Sequence, residues 1–123
     1  MSETGKIKAL LRKLVNAALQ KFPKPRQILE APKEPGVYVI YSPSRRVLHV
    51  GSTPRGRGGL HQRLCNHLHA KSSFTKKYLS GDGSALRDGY KFRYLVVDDP
   101  RRRALLEALA IGTYVPLISA FIK

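Results

Sequence analysis

Apolar residues recur at helical spacing near the start of the chain. Ile7, Leu10, Leu11, Leu14, Val15, Ala18, Leu19 and Phe22 follow the i, i+3, i+4, i+7 rule. This predicts an amphipathic helix over residues 6–22, with Lys6, Lys8, Arg12, Lys13 and Lys21 along its flanks. Pro23, Pro25, Pro32 and Pro35 then follow, too dense for a helix or a central strand. They mark a linker that leads into a β-branched and aromatic run over 37–41, a strand. Ser42, Pro43 and Ser44 supply a turn, and 46–50 a second strand, so the two form a hairpin. Residues 54–59 are a Gly/Arg loop. A helix over 60–70 buries Leu60, Leu64 and Leu68, and 72–79 is a short second helix. Gly81 to Gly83 read as a loop, and 90–97 as a third strand. Asp99 and Pro100 fit the N-cap and first position of a helix that runs to about residue 112. The apolar tail 114–123 closes the domain, with a short helix after Pro116. The pattern describes a small α/β (α+β) domain: a three-stranded antiparallel sheet flanked by helices, with an extra N-terminal amphipathic helix. Residues 1–34 read as a basic helix and Pro-rich linker, and 35–123 as the main domain.

Composition narrows this further. A chain of 123 residues with 42% hydrophobic content suits one folded domain. It carries 23 Lys+Arg against 8 Asp+Glu, a formal charge of +15. Such an excess points to a polyanion, with nucleic acid ahead of an anionic membrane surface. No apolar run approaches the roughly 20 residues of a membrane helix, and the first residues lack a secretory signal pattern. The lone Cys65 excludes an internal disulfide framework and fits a reducing compartment. The expected setting is cytoplasmic and nucleoid-associated, not secreted.

Three places could carry chemistry. Glu107 is the lone acid in an apolar helical stretch. It reads either as an exposed position paired with Arg103 one turn back, or as a metal ligand or catalytic acid. Arg63 and His67, four apart, share a helix face beside the leucine stripe, at the edge of what packs. Arg63 is suited to a phosphate, because a guanidinium donates two parallel hydrogen bonds. His61, Cys65, His67 and His69 would spread around their helix rather than converge on zinc. The loop from Gly51 to Gly59 is rich in glycine but lacks the Lys-Ser/Thr ending of a nucleotide loop. With Arg55 and Arg57 it reads as a basic loop near a phosphate backbone.

Together these pieces resemble the GIY-YIG nuclease family. Gly36-Val37-Tyr38 is similar to the family's first motif, and His49-Val50-Gly51 to its second. Arg63-Leu64 followed by His67 resembles its Arg-Leu-x-x-His, and Glu107 the metal-binding Glu of a later helix. Pro116 matches a proline that commonly follows. The likeness runs from Pro35 to about Ser119. Two departures stand out: the second motif usually begins with Tyr where His49 stands, and Ser119 is the nearest residue to an expected Asn.

The resemblance implies metal-dependent cleavage of a DNA phosphodiester. Glu107 would hold one Mg²⁺ or Mn²⁺, and Arg63 would neutralise the phosphoryl oxygens. Tyr38 would orient or deprotonate the attacking water with help from His49 or His67. Gly36 and Gly51 are the structural positions of the two motifs. Tyr38 and Ile40 share a face of the first strand and His49 and Gly51 a face of the second, so a hairpin can bring Tyr38 and His49 together. Arg55, Arg57, Lys76, Lys77, Arg101 and Arg102 would follow the DNA backbone. Specificity, or a second-strand cut, would need loops, a partner protein or a homodimer. The competing reading is a non-catalytic nucleic-acid-binding module with the same fold.

Overall fold

The computed structural model describes residues 2–54, 58–69 and 71–114. Its elements are α1 (Glu3–Val15), β1 (Gln20–Lys21), β2 (Gly36–Tyr41), β3 (Val47–Ser52), α2 (Gly59–Leu68), α3 (Ser73–Tyr78), a 3₁₀ turn (Gly83–Arg87), β4 (Lys91–Val96) and α4 (Pro100–Tyr114). One antiparallel sheet has the order β1-β4-β2-β3. The sheet therefore has four strands, not three.

The additional strand comes from the stretch expected to end the first helix. Asn16 stops α1: its backbone N–H and its side-chain Nδ2 both turn back to the Arg12 carbonyl, the latter at 2.9 Å. Asparagine competes well for backbone groups in this way, which favours helix ends over interiors. Released from the helix, Gln20 and Lys21 pair with Phe92 and Lys91. Phe22 then lies against Phe92, with ring centroids 4.8 Å apart. The helical spacing of Leu19 and Phe22 is thus satisfied in another way, by burial from an extended segment. A further addition is the 3₁₀ turn after Gly83, which buries Leu86.

Strand β2 is buried along its whole length because both sheet faces are covered. On one face Tyr38, Ile40, Leu48 and Phe92 meet Leu60, Leu64 and Leu68 of α2, Phe74 of α3 and Leu86. On the other, Val37, Val39, Tyr41 and Val50 meet Ile7 and Leu14 of α1 and Leu106 and Ala110 of α4. Residues on both sides of the 34/35 junction contribute to each layer, since Phe22 and Leu29 share the first cluster and Ile7 and Leu14 the second. Helix α1 is thus packed on the core, with its lysines outward. Helix α4 starts at Pro100 as expected, and the Asp99 carboxylate accepts from the Arg101 amide at 3.0 Å. The 114–123 tail beyond Tyr114, with Pro116 and Ser119, lies outside the described residues.

The start of α2 is tied to the proline-rich segment. The amides of Leu60 and His61 donate to the carbonyls of Glu34 and Pro32, each at 2.9 Å. Gly59 has φ +51, and a Cβ there would collide with the Glu34 carbonyl. Gly59→Ala should therefore cost about 1–3 kcal/mol, read as a lower urea midpoint at unchanged m-value. An unchanged midpoint would show that this docking does not constrain the fold.

Candidate active site

The hairpin register sets the site. Tyr38 pairs with Gly51, and Ile40 with His49. Tyr38 and His49 are therefore diagonal neighbours on one face, with ring centroids 5.8 Å apart. A Cβ on Gly51 would strike the Tyr38 hydroxyl and come within 3.0 Å of His49 Nε2. The glycine makes room for the tyrosine. The Thr53 hydroxyl accepts from the Gly36 amide at 3.1 Å, and the Thr53 amide donates to the Gly36 carbonyl at 3.0 Å. These bonds hold the start of β2 against the end of β3.

His67 is fully buried rather than placed at the edge of α2. It sits one helical turn beyond Arg63 and faces the sheet. Its Nε2 is 2.6 Å from the Tyr38 hydroxyl, and its Nδ1 is 2.6 Å from the Ser72 hydroxyl. His49 and His67 meet edge-on, with centroids 5.3 Å apart. Phe74 stacks on His49 at 5.1 Å and touches His67 edge-on. The sequence pattern does not mark Ser72, Phe74 and Thr75 as site residues. The one local signal was Ser72 at a helix start, where its hydroxyl caps the Thr75 amide at 3.1 Å.

Burial drives the Tyr38 phenol far above its usual range. Arg63, within hydrogen-bonding reach of the hydroxyl, pulls the other way but does not prevail. Burial likewise pushes the His67 imidazole down, to about 2, with His49 and Arg63 adding to the effect. Both side chains are thus neutral in the folded protein at neutral pH.

Glu107 reaches the site from the opposite layer. Strand β3 is the sheet edge, and its last residue, Ser52, contacts the Glu107 carboxylate through side chain and backbone. Burial raises the carboxyl, while Ser52 and then Arg63 lower it. Glu107 is half-buried, and it is not paired with Arg103. Arg103 is buried and donates to the carbonyls of Val97 and Asp98 at 2.9 and 3.2 Å. The Arg63 Nε is also buried, with no hydrogen-bond partner among the described residues. Tyr38, His49, Arg63, His67 and Glu107 are thereby linked through contacts at one end of the hairpin.

The flanking cations divide. Lys76 and Lys77 are exposed on α3, beside Phe74. Arg101 is held by both Glu3 carboxylate oxygens, at 2.8 and 2.9 Å, and Arg102 lies 3.6 Å from Asp99. Arg55 and Arg57 lie outside the described residues.

Among the described residues, no group of three or more His, Cys, Asp or Glu side chains is arranged to hold a metal ion. A single half-buried carboxylate nevertheless suits Mg²⁺, which keeps several waters and takes one or two carboxylates together with substrate phosphate. The Glu107 environment fits that donor set. No helix among the described residues is long and apolar enough to cross a membrane.

The fold is that of solved GIY-YIG N-terminal endonuclease domains of UvrC from Thermotoga maritima. A point mutant bound to its catalytic divalent cation matches with a TM-score of 0.52 and 22% identity, over 98% of this chain and 99% of that one. The magnesium-bound domain matches with a TM-score of 0.51 and 23% identity, over 95% and 97%. In sequence, the chain is 28% identical over 93 residues to the UvrABC system protein C of Pseudothermotoga lettingae. That match covers 76% of this chain and 15% of the relative's length. No family model matches. The resemblance read from the motifs thus extends to the architecture and to a distant sequence likeness.

His67 gives a pH test. An unfolded histidine ionises near pH 6.5, so below that value the unfolded chain binds a proton that folded His67 refuses. The stability from this difference is complete above about pH 6.5 and is lost as pH falls towards the folded value of about 2. Wild type should lose melting temperature on acidification more steeply than His67→Gln. The difference should not exceed about 1.4 kcal/mol per pH unit. Parallel acid limbs in calorimetry would contradict a neutral buried imidazole.

Proposed function

We propose that this chain is a metal-dependent DNA endonuclease that hydrolyses phosphodiester bonds. The observation that carries the reading is the half-buried guanidinium of Arg63 beside the half-buried carboxylate of Glu107. A guanidinium that is only partly buried can give a phosphate oxygen a charge-assisted bond. A half-buried carboxylate next to it is a suitable anchor for a hydrated cation. The similarity to metal-bound UvrC endonuclease domains supports the same direction.

In this reading Glu107 holds one Mg²⁺ or Mn²⁺, which when bound polarises the phosphate and offsets charge on the leaving oxygen. Arg63 binds a non-bridging phosphate oxygen and orients the group for in-line attack. Tyr38 receives the water. Its buried phenol is a poor source of free phenolate, so the neighbouring His67 Nε2 matters more than ionisation by Arg63. The Tyr38 oxygen accepts from the water and orients it, while the phenol's own proton stays on its bond to Nε2, because burial disfavours a charged imidazole there. His49 stands where the family has a tyrosine, and we assign it a share of the proton handling. Lys76 and Lys77 line the phosphate backbone, as would Arg55 and Arg57, while Arg101 and Arg102 could join only by leaving their carboxylates. DNA is the partner, a homodimer or second protein would supply a paired cut, and the setting is the cytoplasm and nucleoid.

Supercoiled plasmid with Mg²⁺ or Mn²⁺ tests the reading. Nicking should appear, stop with EDTA, and fall by at least about 10²-fold in Glu107→Ala. Salt-sensitive DNA binding without any nicking would instead establish the non-catalytic module. In the same assay His49→Ala should slow cleavage throughout about pH 6 to 9. An unchanged rate across that range would leave His49 with no part in proton transfer.

A further inference from the structure

The hydroxyls around His67 determine which of its ring nitrogens carries the proton. The Thr75 hydroxyl donates its single proton to the His67 carbonyl at 2.7 Å. It can then only accept from Ser72, whose oxygen lies 2.9 Å away. Ser72 therefore gives its proton to Thr75. Its lone pairs accept the Thr75 amide at 3.1 Å and, on the other side, His67 Nδ1 at 2.6 Å. With no proton left on Ser72 for the ring, Nδ1 must be the donor. A neutral imidazole has one N–H, so Nε2 is the acceptor and the Tyr38 hydroxyl donates to it at 2.6 Å. All the participants, Tyr38, His67, Ser72 and Thr75, are buried, so water does not compete for these bonds.

We propose that Ser72 is a positioning residue which, through Thr75, locks His67 as the Nδ1–H tautomer and so commits Tyr38 to donating its proton to His67. The polarity of the Tyr38 hydroxyl is then fixed before any substrate arrives. Its hydrogen points inward to Nε2, and its lone pairs face Arg63 and an incoming water. Tyr38 can accept from that water but cannot donate to a phosphate oxygen. The Tyr38 oxygen thus orients the water while its own proton stays held by Nε2 and His67 stays neutral, with the Nδ1–H bond to Ser72 unchanged. The catalytic consequence rests on the nuclease reading; the tautomer itself does not.

Nitrogen NMR of the histidine-labelled full chain reads the tautomer directly. At neutral pH without DNA, His67 should show a protonated Nδ1 and an unprotonated Nε2. A protonated Nε2 in the wild type would overturn the proposal, whatever the variants do. Ser72→Ala should convert His67 to the other tautomer or to a mixture, and Ser72→Thr, which keeps the hydroxyl, should restore it. Retention of the Nδ1–H form in folded Ser72→Ala would also overturn it. In plasmid nicking, Ser72→Ala should slow cleavage about 10- to 100-fold, as loss of an orienting partner does, with DNA affinity unchanged and Ser72→Thr recovering the rate. Absence of nicking by wild type would sink the nuclease reading and leave the tautomer result standing.

Discussion

The structure depends on one cross-strand constraint: Tyr38 opposite Gly51. Only a residue without a Cβ lets the tyrosine ring lie across β3 and bring its hydroxyl to His67. A one-residue slip of the hairpin would turn Tyr38 and His49 to the other face, into the layer of α1 and α4. The slip is opposed from both sides, because every residue of β2 is buried. Val37, Val39 and Tyr41 fill one layer while Tyr38 and Ile40 fill the other. The packing that stabilises the fold is thus the same packing that aims the tyrosine.

A second consequence follows from β3 being the sheet edge. Arg63 and His67 come from the layer on one face, Glu107 from the layer on the other. Side chains from two layers can meet only where the sheet ends, and Ser52 at the end of β3 is that meeting point. Polar groups gathered there keep one side open to solvent, and the histidine beneath them is buried and neutral. The two environments, a half-exposed carboxylate and guanidinium above a dry phenol–imidazole pair, differ in how much charge they tolerate. Under the nuclease reading, charge neutralisation would belong to Arg63 and Glu107, and orientation of the water to the neutral Tyr38–His67 pair.

The parts of this arrangement with short-range signals were legible in the sequence. The alternation in 37–41 and 46–50 gave the shared face of Tyr38 and His49, and the spacing of Arg63 and His67 gave their common side of α2. The reach of Glu107 to Ser52 was not legible, since two layers separate them and no pattern along the chain couples them. Nor was β1, because a two-residue pairing to β4 leaves almost no periodicity of its own. Leu19 and Phe22 continued a helical spacing by coincidence, and Asn16, the residue that ends the helix, carried the contrary signal. The depth of His67 was not legible for a related reason. The Leu60, Leu64 and Leu68 stripe marks the centre of the buried face, but α3 folds back over it and extends burial to the next residue. The Ser72 and Thr75 bonds to His67 arise only from that fold-back.

The placement of charge bears on how a polyanion could approach. Of the basic residues near the start of α4, Arg103 is consumed internally, Arg101 is clamped by Glu3, and Arg102 leans on Asp99. Exposed pairs of this kind contribute little to stability, but they lower the local positive potential. Lys76 and Lys77 have no such neighbours among the described ion pairs, and they sit on the helix whose Phe74 stacks against His49. The net charge of +15 is therefore not spread evenly in effect. Under the nuclease reading, a backbone drawn to α3 passes the His49 side of the site before it reaches Arg63. The phosphate would then meet His49 first, a ring stacked on Phe74 and edge-on to His67.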